Sequence, residues 1–195
     1  MPQPKHVMKL PLPEESGLDE DTKAYFELCR EKLGMVPNVL QAYAFDQQKL
    51  RCFGKMYNEL MLGDSGLSKL EREMIAVVVS SVNCCYYCLV AHGQAVRALS
   101  GDPQLGEMLV MNYRVAELES RQRAMLDFAW KMTESPWEIG DPDRAALREA
   151  GFGDSDIFDI CNVVGFFNMS NRVASGVDMM PNPEYHARNR GADQK

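Results

Sequence analysis

Three reactive side chains share one short stretch of the 195-residue chain, Cys85-Tyr86-Tyr87-Cys88-Leu89-Val90-Ala91-His92. On a helix, cysteines at i and i+3 lie on one face. Their Cα atoms are then roughly 5–6 Å apart, inside the range a disulfide spans. His92 is four residues beyond Cys88 and continues that face. His6 and His186 fall in the terminal segments, so His92 is the one histidine in the core pattern. Asn83 is placed to cap this helix, with Cys85 in its first turn, where free N–H groups and the helix dipole favour a thiolate. Two thiols and an imidazole on one face point to redox chemistry. The bland alternative is a pair of small buried residues beside a satisfied core histidine.

A metal site is the other alternative. Cys84, Cys85, Cys88 and His92 are ligand types for zinc, but a structural zinc site combines two such knuckles and the chain has one. Adjacent Cys84 and Cys85 on a helix point about 100° apart, which suits one ion poorly. Haem attachment needs His directly after the second cysteine, where Leu89 stands. Neither a zinc site nor haem attachment is therefore expected. Glu73 opens the preceding segment at the edge of a charge-free run. It is either a solvated helix-start carboxylate, like Glu71, or a proton acceptor facing the cysteines if the chain turns back near Asn83. Spacing leaves both open.

The elements that must position these residues are helices. Phe26, Cys29 and Leu33 fall at i, i+3, i+7, with Gly34 as a C-cap. Met125, Phe128, Ala129 and Met132 repeat the pattern, as do Ile157, Ile160, Cys161 and Val164. Ser68 and Glu71 form a capping box, and Asp102-Pro103 and Asp141-Pro142 each read as an N-cap followed by proline at N1. These signals predict helices at 19–33, 37–45, 47–62, 68–82, 84–99, 103–111, 119–134, 142–150 and 155–176. Val77-Val78-Val79 could pass for a strand, but its capped, charged entry argues for helix. The expectation is an all-α, single-domain chain, with a core at about 18–178 and a polar C-terminal arm, 179–195, extended or partly disordered.

Composition narrows the function. Apolar residues are 46% and charged residues 25%, as in an ordinary globular domain. The net charge of −7, from 21 basic and 28 acidic residues, argues against nucleic acid as a partner. Met74–Val96 carries no Asp, Glu, Lys or Arg and is long enough to span a bilayer, but its serines, Asn83, His92, Gln94 and cysteines favour a buried helix pair over a membrane span. Met1–Glu15 is broken by four prolines and has no apolar run, so no signal peptide is expected, and the reducing cytosol is the default compartment. Cys29, Cys52 and Cys161 are expected to be small buried hydrophobes. The charge-free pair and many apolar helices also suggest a homo-oligomer.

Glu73, eleven intervening residues, then Cys85-x-x-Cys88-x-x-x-His92 resembles the signature of the alkylhydroperoxidase AhpD-like family, within the carboxymuconolactone decarboxylase-like superfamily. Leu33-Gly34-x-Val36-Pro37-Asn38 and Phe167-Asn168-x-x-Asn171-Arg172 resemble its uncharacterised peroxidase-related branch. The resemblance covers roughly residues 18–178. It implies an AhpD-like helical bundle and a peroxidase that reduces organic hydroperoxides through a Cys85/Cys88 dithiol–disulfide cycle. By position, Cys88 would be the peroxidatic thiol and Cys85 the resolving thiol, with Glu73 and His92 as proton relay. An external dithiol or disulfide reductase would return the electrons. Two features depart from the best-known members, Tyr87 in place of a second histidine and the additional Cys84. A switchable Cys85–Cys88 disulfide in a non-enzymatic redox sensor is the alternative, and a lactone decarboxylase a weaker one. Arg172 is read as a structural residue of a late helix.

Overall fold

The strongest local signal, the capping box before the charge-free run, is formed in the computed structural model, which describes residues 3–191. The Ser68 hydroxyl accepts from the Glu71 amide at 3.1 Å, and Glu71 accepts from the Ser68 amide at 2.7 Å. The helix that follows, α4 (Lys69–Val82), buries Met74 through Val79 completely. Valine costs a helix up to about 0.7 kcal/mol in propensity, whereas burying its side chain returns about 1.5–3 kcal/mol. Burial therefore decides that the valine run is helical.

Around α4 the chain folds as α1 (Glu20–Leu33), α2 (Asn38–Tyr43), α3 (Gln47–Leu62), α5 (Tyr86–Ser100), α6 (Pro103–Asn112), α7 (Ser120–Glu134), α8 (Asp141–Glu149), α9 (Asp154–Gly176) and the short α10 (Glu184–Ala187). Among the described residues there is no strand, so the fold is all-α. α4 is the axis, with α5, α6, α7 and α9 packed against it. No helix among the described residues is long and apolar enough to cross a membrane.

Helix positions agree with the sequence signals to within two residues, and the exceptions are informative. Asn83 does not cap the cysteine helix. It ends α4, and Cys84 takes a left-handed conformation, φ 51°. The Cys85 amide then bonds Ser80 O at 3.0 Å and the Cys84 amide bonds Ser81 O at 3.2 Å, a Schellman stop with cysteine where glycine is usual. Cys85 is itself the N-cap of α5, and the exposed Cys84 lies outside the helix. Likewise Gly140, not Asp141, caps α8. Cys52 is exposed rather than buried, while Cys29 is buried and Cys161 half-buried.

The C-terminal arm is built, not loose. Buried Asn182 accepts from the Asn38 amide at 2.7 Å and donates to Val36 O at 3.0 Å. Buried Arg97 donates to Tyr185 O at 2.9 Å and Arg188 O at 3.2 Å. Residues 182–190 thus form a strap across α1 and α5. Residues 192–195 of the predicted arm lie outside the described residues.

A β-carbon in the left-handed region costs about 1–2 kcal/mol, and a branched one more. Cys84 already bears that cost, so Cys84→Gly should raise the stability to urea by up to about that amount, whereas Cys84→Val should lower it because its β-carbon is branched. Equal stability of the two variants would contradict the assigned turn.

Candidate active site

The Schellman turn lays α5 back along α4, so residues at comparable distances on either side of the turn face one another. Glu73, in the second turn of α4, meets His92, in the second turn of α5. His92 Nδ1 donates to Glu73 Oε2 at 2.7 Å, with both side chains nearly buried. The helix-start reading of Glu73 therefore gives way to a paired carboxylate. A carboxylate on Nδ1–H leaves Nε2 as the basic nitrogen. The Phe167 ring meets the imidazole edge-on, with centroids 4.6 Å apart, and fixes its plane.

Both thiols are buried, Cys85 at 2% exposure and Cys88 at 1%, but they face different surroundings. Cys88 lines a cavity of about 380 Å³ together with Glu73 and His92. Both cysteines belong to one apolar cluster with Met8, Ala42, Ala174 and Met179, and Cys85 does not reach the cavity wall. The sulfurs are close enough to share a hydrogen bond, in which the Cys88 thiol donates and the Cys85 sulfur accepts. That donation, helped by the Cys88 amide, the Ser175 hydroxyl and the nearby His92, brings Cys85 down from near 9 to about 6. The charge on Cys85 and burial push Cys88 up, while Asn171 and Ser170 oppose the rise. The N-cap position explains which sulfur takes the charge, since the amides of the first turn are closest to Cys85.

Some contributors were not visible in the sequence. Tyr57 on α3 lines the cavity beside Glu73, and burial pushes its phenol far above the usual range. The Phe53–Tyr57 spacing, i to i+4, was the available signal. Tyr87, where a second histidine was expected from the resemblance, accepts the Val39 amide at 3.1 Å and is kept neutral by burial. Cys29 and Tyr185 complete other parts of the wall. Arg172 is exposed and bonds Asn168 O and Oδ1 at 2.8 and 2.7 Å, so it acts structurally. Asn83 joins Asn168 and Asn171 at 3.1 and 3.0 Å, and Asn171 bonds Ser80 at 3.0 Å. This network clamps the turn to α9. Among the described residues no group of three or more His, Cys, Asp or Glu side chains is gathered as a metal would need.

Residues 50–129, which hold the whole constellation, match the carboxymuconolactone decarboxylase family. A protein from Silicibacter sp. TM1040, described as an uncharacterized peroxidase-related protein, is 67% identical, with TM-score 0.94 over 97% of this chain and 100% of that one. A second from Ralstonia eutropha JMP134, described as an alkylhydroperoxidase AhpD core, is 39% identical, with TM-score 0.93 over 96% and 99%. The chain belongs to this AhpD-like family. The debrominase Bmp8, solved with 2,3,4-tribromopyrrole, shares the fold at TM-score 0.76 and 16% identity, covering 94% of this chain and 95% of its own. None of the curated proteins matches the chain significantly.

The shared proton makes an optical test. Thiolate absorbance near 240 nm should begin to rise around pH 6, because a lowered pKa puts the charged form above that pH. Cys85→Ser should abolish this step, and Cys88→Ala should move it up by removing the donor. A first step no lower than pH 8 in the wild type would contradict the assigned charge.

Proposed function

We propose that this AhpD-like protein is a thiol-dependent peroxidase that reduces organic hydroperoxides through Cys88 and Cys85. The observation that carries this is the placement of Cys88, rather than Cys85, in the wall of a half-open cavity with the hydrogen-bonded Glu73–His92 pair. Substrate entering that cavity meets Cys88 first. The names borne by the two relatives of higher identity agree with the reaction class.

The steps balance as follows. The Cys88 proton passes to the Cys85 thiolate or to His92 Nε2, leaving a Cys88 thiolate. That sulfur attacks the terminal peroxide oxygen, the O–O bond breaks, and Cys88 becomes a sulfenic acid. The alkoxide takes that same proton through His92, from Cys85 when it was parked there, and leaves as the alcohol, with Cys85 again a thiolate and Glu73 stabilising the transient imidazolium. The Cys85 thiolate attacks the sulfenic sulfur, forms the disulfide and releases hydroxide, which leaves as water after protonation. An external dithiol, or a disulfide reductase, reduces Cys85–Cys88 again. The reducing cytosol is the compartment that suits this cycle, and no resident metal or organic cofactor enters it.

Trapping tests the roles. Cys85→Ser given one equivalent of cumene hydroperoxide should carry a dimedone adduct on Cys88 by mass spectrometry. His92→Ala should slow formation of that adduct by roughly 10²–10⁴-fold. Labelling of Cys84 or Cys85 in the wild type with Cys88 inert would reverse the assignment. A disulfide that forms without catalytic peroxide consumption in excess dithiol would favour the redox-sensor alternative.

Assembly is part of the same proposal. α9 exposes Phe158, Met169 and Val173, and Phe45 is 59% exposed. Unpartnered apolar side chains of this size suit a symmetric homo-oligomer. Light scattering at micromolar concentration should return a multiple of the 22.0 kDa chain mass, and a monomer would refute it.

A further inference from the structure

The cavity has a cation that the peroxidase cycle does not use. Arg188, on the C-terminal strap, is part of the same wall as Cys88, Glu73 and His92. One of its N–H groups donates to Leu33 O at 2.7 Å, the last turn of α1. A guanidinium has five such donors, and among the described residues no carboxylate pairs with this one. Glu73 is the other charged side chain of the wall, and its bond goes to His92. The rest of the lining is largely apolar or aromatic, including Phe53, Tyr57, Phe166 and Phe167.

Arg188 is also held in place at some cost. Arg97 is 4% exposed and spends two donors on the carbonyls of Tyr185 and Arg188. Burial lowers the Arg97 pKa, the expected penalty for such a cation. Gly106 makes room for it, because a β-carbon there would meet Arg97 Cγ at 2.7 Å. The strap backbone is therefore fixed at the residue that carries the unpaired charge.

We propose that Arg188 binds the carboxylate of the substrate, which is an amphipathic hydroperoxide bearing one carboxylate on an apolar body. The identity of the reacting group rests on the peroxidase reading, whereas the anion preference rests on the cavity alone. A single guanidinium matches a monoanion and leaves a phosphate monoester dianion half compensated. Glu73 and the Cys85 thiolate repel the carboxylate, so the anionic end is directed to the strap and the peroxide end to Cys88.

Calorimetry on the full chain tests this with 4-isopropylbenzoate against its methyl ester, neither of which can react. The acid should bind roughly 10-fold tighter or more, as a charged hydrogen bond of about 1.5–3 kcal/mol requires. Arg188→Gln should bring the acid-to-ester ratio to about 1, and Arg188→Lys should keep part of it. Equal affinities in the wild type, or an intact ratio in Arg188→Gln, would overturn the proposal. Turnover of the para-carboxylated cumene hydroperoxide and its methyl ester is the second arm. An acid preference in binding with no turnover of either would strike the peroxidase reading alone. Turnover without any acid preference would strike Arg188 alone.

Discussion

A carboxylate that opens a fully buried run has to be paired. Glu73 immediately precedes Met74–Val79, all without exposure, and leaving its charge uncompensated would cost about 3–5 kcal/mol. His92 meets that need at 2.7 Å, and the pairing is possible only if α5 folds back onto α4. The left-handed Cys84 makes the reversal, and the asparagine network to α9 holds it. Fixing Glu73 against His92 fixes the register of the two helices. That register in turn puts Cys88, and not Cys85, into the cavity wall.

The two thiols then become chemically unequal although they are one helical turn apart. Cys85 sits at the helix start and accepts from Cys88, so it holds the charge at rest. Cys88 holds the proton and faces the cavity. In the proposed cycle, storing the thiolate on the sulfur outside the cavity keeps the pair charged near neutrality without presenting a nucleophile to the cavity. A proton shift over one hydrogen bond is then the event that arms Cys88, with the imidazole assisting.

The parts of this arrangement that were legible in the sequence are those specified locally. The Ser68–Glu71 box, Asp102-Pro103 and the apolar spacing in α1, α7 and α9 each declare a helix within a few residues, and those helices formed. The turn at Cys84 was not legible, because a cysteine in the position of a glycine carries no signal of a left-handed stop. Glu73 stayed undecided because its partner lies 19 residues away across that turn. Whether the C-terminal arm is extended or partly disordered was left open by the sequence, because the order of the strap comes from Arg97 and Asn38, 88 and 144 residues distant in sequence from Tyr185 and Asn182. Polar composition cannot announce partners so remote.

The central claim is that Glu73 and His92 act as one unit on Cys88. A double-mutant cycle measures this directly, with kcat/KM for hydroperoxide consumption in excess dithiol determined for Glu73→Gln, His92→Gln and the double variant. If the pair works as a unit, the double variant should lose about as much as His92→Gln alone. Losses that multiply, or a Glu73→Gln variant with full activity, would contradict it.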